Sequence, residues 1–466
     1  MIRRKRVVPF ALVCALVLFA CGKRVFEYVW VAGPGFEATL QARAALFLAT
    51  ESGYPLRSML LSILSLLVGG LGILYWGYQL MVLRRVERSV DRVADLPREE
   101  RAFWPRVSVI MTACNEEAAL EEAVRARLAD DYPDLELILI NDRSTDSTPE
   151  IADRLAAVDP RIRVCHITEL PEGWLGKVNA LNHGVGLSTG DWILFSDGDV
   201  SVHPGALTRI IAYCERRGID HCAALPSLRS VNPLLDCMTS AFMRLVALKM
   251  KVWEVEDPAS PTAVGVGAFN LIRRSALQRS PGLEWLRLEV GDDLCLGEML
   301  KACGSRQYIL HARGTMSVQF HASVADSFKS AERATYTSIG NFSLPRLAAM
   351  SLIVLLVELS WLISLALARS WFTAGVALAA LGFAIAAMIV SNRFHGRSSW
   401  NLFLTPVTTL LVALSILRAG VLGAVRGGIV WRGTFYPNAK LRAGRRYGKA
   451  WAKLRSWREG QDTEAA

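Results

Sequence analysis

The sequence lacks paired cysteines. Its nine cysteines among 466 residues include no Cys-x-x-Cys spacing, which speaks against a zinc knuckle and a disulfide framework. Those in or beside predicted strands, such as Cys114 and Cys165, read as small core residues. Histidine is scarce, with seven in the chain, and His183, His203 and His321 have no metal-ligand spacing. The absence of internal repeats and low-complexity segments excludes a solenoid or a long disordered linker. Acidic residues are outnumbered, 43 against 53 Lys and Arg, for a net charge of +10. This excess does not read as a nucleic-acid footprint. It gathers beside apolar runs, at Arg3 to Arg6, at Arg84 to Arg92 and through the C-terminal tail, which is the positive-inside pattern of membrane proteins.

What the chain does have is apolar residues: 52% of it is hydrophobic and its mean hydropathy is +0.28. Residues 1–100 read as an N-terminal anchor region with apolar segments at about 7–21 and 60–83. The first lies behind MIRRKR and fits a signal-type segment or an uncleaved anchor; we expect the anchor. The second has spanning length, and Arg84, Arg85, Arg88 and Arg92 place its end in the cytoplasm. Residues 326–345 form an amphipathic stretch. Residues 346–425 hold three apolar segments, about 347–368, 371–391 and 401–424, with Trp361, Trp371 and Trp400 as interface residues. Residues 426–466 are a basic tail expected in the cytoplasm. Three full crossings would put that tail outside, so one segment is expected not to cross, and Pro406 singles out the last. Residues 232–253 fit a core helix or a helix in the membrane interface equally well.

Residues 105–325 read as a soluble domain. VSVIMT (107–112), LELILI (135–140), IRVCHI (162–167) and the strand 192–196 alternate with helical patterns at 116–130, after Thr148 and at 177–187. This predicts an α/β fold, a mostly parallel sheet wrapped by helices. The strand 192–196 ends in SDGDV, which delivers Asp197 and Asp199 to the strand edge where open sheets place ligands. Two carboxylates around Gly198 suit a hard divalent cation that bridges phosphate oxygens; an ordinary turn would use the same residues. Asn115 and Glu116 close the first strand, and Asn141 and Asp142 the second, on the same edge. Lys177 opens a helix and is placed to meet phosphate oxygens, although a solvated lysine there is commonplace. Asp292 and Asp293 precede LCLGEML, where a first-turn carboxylate is also commonplace.

The blocks VSVIMTACNEE, ILINDRSTDST, WLGKVNALNHG, ILFSDGDV and GDDLCLGEML, in this order over roughly half the chain, resemble family 2 glycosyltransferases. GWLGK and the C-terminal WRGTFY look most like membrane-bound lipid glycosyltransferases. The pattern is nearest to bacterial hopanoid-associated and carotenoid glycosyltransferases and more distant from ceramide glucosyltransferase. The resemblance implies a GT-A, Rossmann-like nucleotide-sugar domain with transmembrane helices on both sides. It implies inverting transfer from a nucleotide sugar, expected to be UDP-linked, to a lipid hydroxyl, with Mg²⁺ or Mn²⁺ at Asp197 and Asp199. Asp142 would accept hydrogen bonds from the base or ribose, Asn115, Glu116, Lys177, Asp197 and Asp292 would line the substrate site, and Asp293 would be the catalytic base. Arg432, beside Trp431, would reach the diphosphate; the pair also fits a membrane-interface anchor. Arg333 aligns with the arginine of the Gln-x-x-Arg-Trp block of processive synthases, but no tryptophan follows it. A processive polysaccharide synthase and a non-catalytic membrane scaffold are the alternatives. The expected partners are a nucleotide-sugar donor, a lipid acceptor and the membrane, with no nucleic acid. The expected location is a multi-pass place in a bacterial inner membrane, catalytic domain facing the cytoplasm.

Overall fold

The computed structural model describes residues 54–198 and 200–454. The apolar segment at 7–21 and Asp199 lie outside the described residues. The chain forms two units, the smaller taking in residues 54–72 and 360–381 of the described chain.

The smaller unit is made of apolar helix segments. Helix α1 (Tyr54–Ser89) runs for 36 residues and contributes its first half. Ser65 Oγ donates to the Ser364 carbonyl and Ser364 Oγ to the Ser65 carbonyl, each at 2.8 Å. Cβ atoms at Gly69 and Gly72 would lie 2.6 Å from the hydroxyls of Ser364 and Ser360. Small residues and reciprocal hydroxyl bonds let these apolar helix segments approach closely. Along α1, large apolar side chains face outward, Leu67 being 66% and Leu74 73% exposed.

The larger unit holds an eight-stranded sheet with strand order β3-β2-β1-β4-β7-β6-β8-β5. Strands β1 (Val107–Ala113), β2 (Leu135–Asp142), β3 (Ile162–Ile167) and β4 (Trp192–Phe195) are parallel neighbours. Every residue of β2 is buried, as an interior parallel strand covered on both faces requires. Helices α2 (Leu120–Leu128), α3 (Thr148–Val158) and α4 (Gly176–Leu187) connect these strands. This half matches the sequence expectation closely. The other half is mixed: β7 (Asn270–Arg273) runs antiparallel to both β4 and β6 (His221–Leu228), and β5 (Val200–Val202) antiparallel to β8 (Gln307–Val318). Helix α5 (Ala206–Arg217) joins β5 to β6. The architecture is an α/β fold around a mixed eight-stranded sheet, with apolar helices in the same chain.

Helix α6 (Pro233–Lys249) buries its first half, Leu235 to Ala241, in the fold. Asn232 caps it by accepting from the Leu235 N–H at 2.9 Å. Arg244 is 1% exposed and donates to Glu358 at 2.7 Å, so the cations of this stretch do not all face a membrane surface. Among the described residues three helices are long and apolar enough to cross a membrane: Leu56–Ser89, Trp371–Phe394 and Trp400–Arg426. Pro406 does not break the last one. It sits in the first turn of the α-helical stretch Thr405–Arg426, where its missing N–H would have had no partner. The expected span 347–368 begins with the helix Leu344–Glu358, which follows Val324–Ile339 across a bend of 109°.

Helix α7 (Asp292–Ala302) is seated by glycines. A Cβ at Gly297 would lie 1.7 Å from the Val264 carbonyl oxygen, and one at Gly265 would lie 1.8 Å from that of Asp293. Backbone thus touches backbone where Asp293 enters the fold. Gly297→Ala should cost roughly 3 kcal/mol of stability, since backbone rather than a movable side chain blocks the new methyl. Thermal unfolding of the detergent-solubilised protein measures it, and an unchanged midpoint would refute the tight seat.

Candidate functional site

The cleft lies at the C-terminal edge of β1 and β4. Thr112, Lys177, Ser196, Asp197, Asp292 and Asp293 line it, together with Gly267 and Asn270 from the β7 side. Lys177 comes from the first turn of α4. Its Nζ lies 3.0 Å from Asp197 Oδ1 and 3.7 Å from Asp292 Oδ2. Asp293 Oδ2 accepts the Gly267 N–H at 2.9 Å, and Oδ1 accepts the Leu294 N–H at 2.8 Å. A Cβ on Gly267 would stand 2.9 Å from Asp197 Oδ2 and 3.5 Å from Asp293 Oδ2. Its absence lets the two carboxylates approach the same spot.

The charges interact strongly. Burial works against the charge of Lys177, but Asp197, Asp292 and Asp293 outweigh it and hold the ammonium well above its ordinary range. Burial also opposes ionisation of Asp197, yet the Lys177 contact wins and keeps this carboxyl below its usual value. Burial pushes Asp292 up to about 6, with Asp293 and Asp197 adding to the rise against Lys177. Burial raises Asp293 as well.

Three carboxylates and one ammonium leave the cluster two negative charges in surplus, which is the charge of one divalent cation. Among the described residues no three ligating side chains converge tightly enough to cage a metal. The oxygen donors of the cluster are of the type that Mg²⁺ and Mn²⁺ take, one or two carboxylates with water and substrate phosphates completing the shell. Asp197, partly open to the cleft with 43% of its side chain exposed, is the carboxylate placed for this. The space left inside the cluster is about 20 Å³, enough for a water-sized occupant.

Opposite this acidic corner is a basic one. Asp142 is fully buried. Its Oδ1 accepts Arg143 Nε at 2.8 Å and its Oδ2 accepts Arg432 Nη1 at 2.9 Å. Arg432 Nη2 also reaches Thr112 Oγ1 at 3.3 Å. Arg432 comes from a hairpin of β9 (Gly428–Trp431) and β10 (Thr434–Pro437). Its two-residue turn, Arg432 and Gly433, has φ of 47° and 74°, the left-handed pair that matches hairpin twist. Arginine is a strained choice there, and the strain aims the guanidinium at Asp142. The hairpin is tied down twice more: Arg143 Nη1 donates to Thr434 Oγ1 at 3.1 Å, and the Gly176 N–H donates to the Tyr436 hydroxyl at 3.3 Å. Among the described residues Arg143 Nη2 is buried without a hydrogen-bond partner.

The structure therefore gathers Lys177, Asp197, Asp292, Asp293, Asp142 and Arg432. Asp142 does not present a free carboxylate, since both oxygens hold arginines. Asn115 and Glu116 do not line the cleft. Asn115, with φ 57°, accepts the Thr145 N–H at 2.8 Å, and the Glu116 N–H donates to Thr148 Oγ1 at 2.9 Å, so they bind the loop after β1 to the loop after β2. Arg333 and Trp431 line a neighbouring groove, with the guanidinium 5.5 Å from the ring centre. Thr112, Arg143, Gly267 and Tyr436 are added by the fold. Arg143 and Tyr436 had a signal in NDRST and WRGTFY, whereas nothing local in GVGAF announced Gly267.

Residues 108–279 match the family described as Glycosyl transferase family 2. Among curated relatives, an uncharacterized glycosyltransferase of Haemophilus influenzae is 32% identical over 28% of this chain and 39% of its own length. A beta-monoglucosyldiacylglycerol synthase of Trichormus variabilis is 26% identical over 43% of this chain and 42% of its own. The chain spans less than half the length of these relatives. A solved mannosyltransferase of Pyrobaculum calidifontis, in complex with GDP-Man and Mn²⁺, aligns with a TM-score of 0.47 and 20% identity over 77% of this chain and 99% of that one.

Removing the ammonium should expose the cost of the acidic cluster. Lys177→Met is expected to lower stability by about 1–3 kcal/mol, less than for a fully dry pair because the cleft is part open. Lys177→Met/Asp292→Asn should recover part of that loss in a double-mutant cycle followed by denaturant unfolding. Strict additivity of the two changes would show that the contact carries no weight.

Proposed function

We propose that this chain is a membrane-bound inverting glycosyltransferase that moves a sugar from a nucleotide sugar, UDP-linked in our reading, to the hydroxyl of a lipid. The observation that carries the proposal is that a buried acidic corner around Lys177 in the cleft adjoins a basic corner around Asp142, the two joined where Arg432 bonds Thr112. A nucleotide sugar needs both signs, cations for its diphosphate and a carboxylate for the incoming hydroxyl.

Asp293 is the base. Two backbone N–H groups fix its carboxylate, and its burial-raised affinity for a proton suits the task near neutral pH. The acceptor oxygen attacks the anomeric carbon while its proton passes to Asp293. The bond from that carbon to the diphosphate oxygen breaks, and the nucleoside diphosphate leaves with the electron pair. One displacement inverts the centre. Arg143 and Arg432, already oriented by Asp142, meet the negative charge that grows on the leaving diphosphate, usually the largest electrostatic contribution. Asp197, with Asp199 beyond it, would hold Mg²⁺ or Mn²⁺, which when bound neutralises the same diphosphate. Lys177 keeps the three aspartates in place in the meantime.

The lipid acceptor is supported by the relative from Trichormus variabilis, a beta-monoglucosyldiacylglycerol synthase, and by the apolar helices. The exposed leucines of α1 form a surface that a bilayer would cover. Arg84, Arg85, Arg88 and Arg92 at its end support a catalytic domain on the cytoplasmic side, in our reading of a bacterial inner membrane crossed more than once.

Asp293→Asn should lower sugar transfer by about 10²–10⁴-fold while leaving donor binding within a factor of two or so. Nucleotide release from a panel of sugar nucleotides, with membranes, a lipid extract and Mn²⁺, reads the first quantity. Equal release by wild type and variant would remove Asp293 from the role of base.

A further inference from the structure

Beside the cleft lies a groove of about 420 Å³, lined by residues 326–333 of the amphipathic helix, the last turns of the apolar helix ending at Arg426, and Gly428 to Arg432 of the hairpin. That volume falls within the roughly 300–1,000 Å³ of small-molecule sites. The groove and the cleft share no lining residue, but Arg432 of the groove bonds Thr112 of the cleft. The two spaces therefore adjoin at one guanidinium.

The charges of the groove do not balance. Lys329, Arg333, Arg418, Arg426 and Arg432 face Asp326 and Glu332. Glu332 takes both Arg418 and Arg426. Asp326 is turned to its own helix start, accepting the Ala322 N–H at 3.1 Å and lying 3.6 Å from His321. Arg432 belongs to Asp142. Lys329 and Arg333 are left without an ion pair among the described residues, and Arg333 is half-buried beside the Trp431 ring, with Asp326 and Glu332 near enough to favour its charge but neither within ion-pair distance. A half-desolvated guanidinium without a direct ion pair gains most from a phosphate.

The other walls are apolar: Leu422, Ile429, Val430 and Trp431. The axis of Val324–Ile339 turns by 109° into Leu344–Glu358. If the latter and the helix ending at Arg426 stand in the bilayer, the amphipathic helix lies along its surface and the groove opens at headgroup depth. Unpaired cations and an apolar wall at that depth describe an amphiphile with an anionic head.

We infer that this groove binds a phosphate-bearing acceptor lipid, with its phosphate on Lys329 and Arg333 and its hydroxyl presented past Arg432 to the cleft. The inference rests on the glycosyltransferase reading for the word acceptor, and on the groove alone for the phosphate.

The test uses the full chain in a neutral detergent, with lysophosphatidic acid and monoacylglycerol of the same acyl chain as probes; both carry free hydroxyls. Lysophosphatidic acid should raise the unfolding midpoint, whereas monoacylglycerol and inorganic phosphate should not. Lys329→Glu/Arg333→Gln should weaken the phospholipid effect about tenfold or more, the scale of one lost charge-assisted bond, and leave nucleoside diphosphate binding unchanged. Lys329→Glu alone, on an exposed side chain, should weaken it in part and guards against misfolding of the double variant. With donor present, the phosphate lipid should accelerate nucleotide release and become glycosylated. Equal effects of both lipids, or an unchanged effect in both variants, would overturn the phosphate assignment. Loss of nucleotide binding in step with lipid binding would hand the groove to the donor diphosphate. Binding without glycosylation, while another acceptor is glycosylated, would make the lipid a bystander and overturn the acceptor assignment. A lipid shift with no response to any nucleotide would sink the glycosyltransferase reading and leave the anionic site standing.

Discussion

Lys177 Nζ sits 3.0 Å from Asp197 and 3.7 Å from Asp292, and this contact is what allows three carboxylates to share one corner. Like charges in a part-dry site repel, and burial adds to the cost of each. The rise of Asp292 and Asp293 above their ordinary range is the residue of that conflict. The surrounding backbone is arranged to keep the conflict local. Gly267 has no Cβ to hold the acids apart, and Gly265 and Gly297 let α7 press its first turn against the loop before β7. A substitution at any of these glycines acts on the charges through position.

The basic corner answers the acidic one. Asp142 carries one negative charge and holds two guanidiniums, so this side has one positive charge in surplus while the Lys177 side has two negative ones. The field is thus polarised from the cleft toward the hairpin. A ligand with a diphosphate at one end and a neutral sugar at the other is oriented by such a field before any specific contact forms. Asp142 then works through Arg143 and Arg432. That arrangement also explains why the carboxylate can be wholly buried: two charge-assisted bonds compensate its desolvation.

The sequence was most legible where the chain obeys short-range rules. The four parallel strands and three helices up to Leu187 follow from apolar runs, turn residues and caps, and the acidic blocks marked Asp197, Asp292 and Asp293 directly. Less legible were features set by distant pairing. β7 places Gly267 opposite Asp293 only because it runs antiparallel between β4 and β6, and no local pattern specifies that neighbour. The helix 233–249 looked as suited to an interface as to a core, because its apolar content is the same for both. Its buried Arg244 has a partner 114 residues away, at Glu358. Asn115 and Glu116 stood at the right strand end but turned to bracing the loops.

The hairpin at 428–437 is where the two halves of the chain's chemistry meet. Its turn residue Arg432 occupies a left-handed conformation that costs an arginine energy, and three hydrogen bonds to Asp142, Thr112 and, through Thr434, Arg143 hold it there. Its other face is the floor of the charged groove. An anion arriving in either space competes with Asp142 for the same guanidinium. Occupation of the groove and occupation of the cleft are therefore linked through one side chain. By the reciprocity of binding free energies, whatever the groove ligand does to the affinity of the cleft, the cleft ligand does in equal measure to the groove. Strain at Arg432 makes this link sensitive, because releasing the turn returns part of the energy spent in breaking the Asp142 contact.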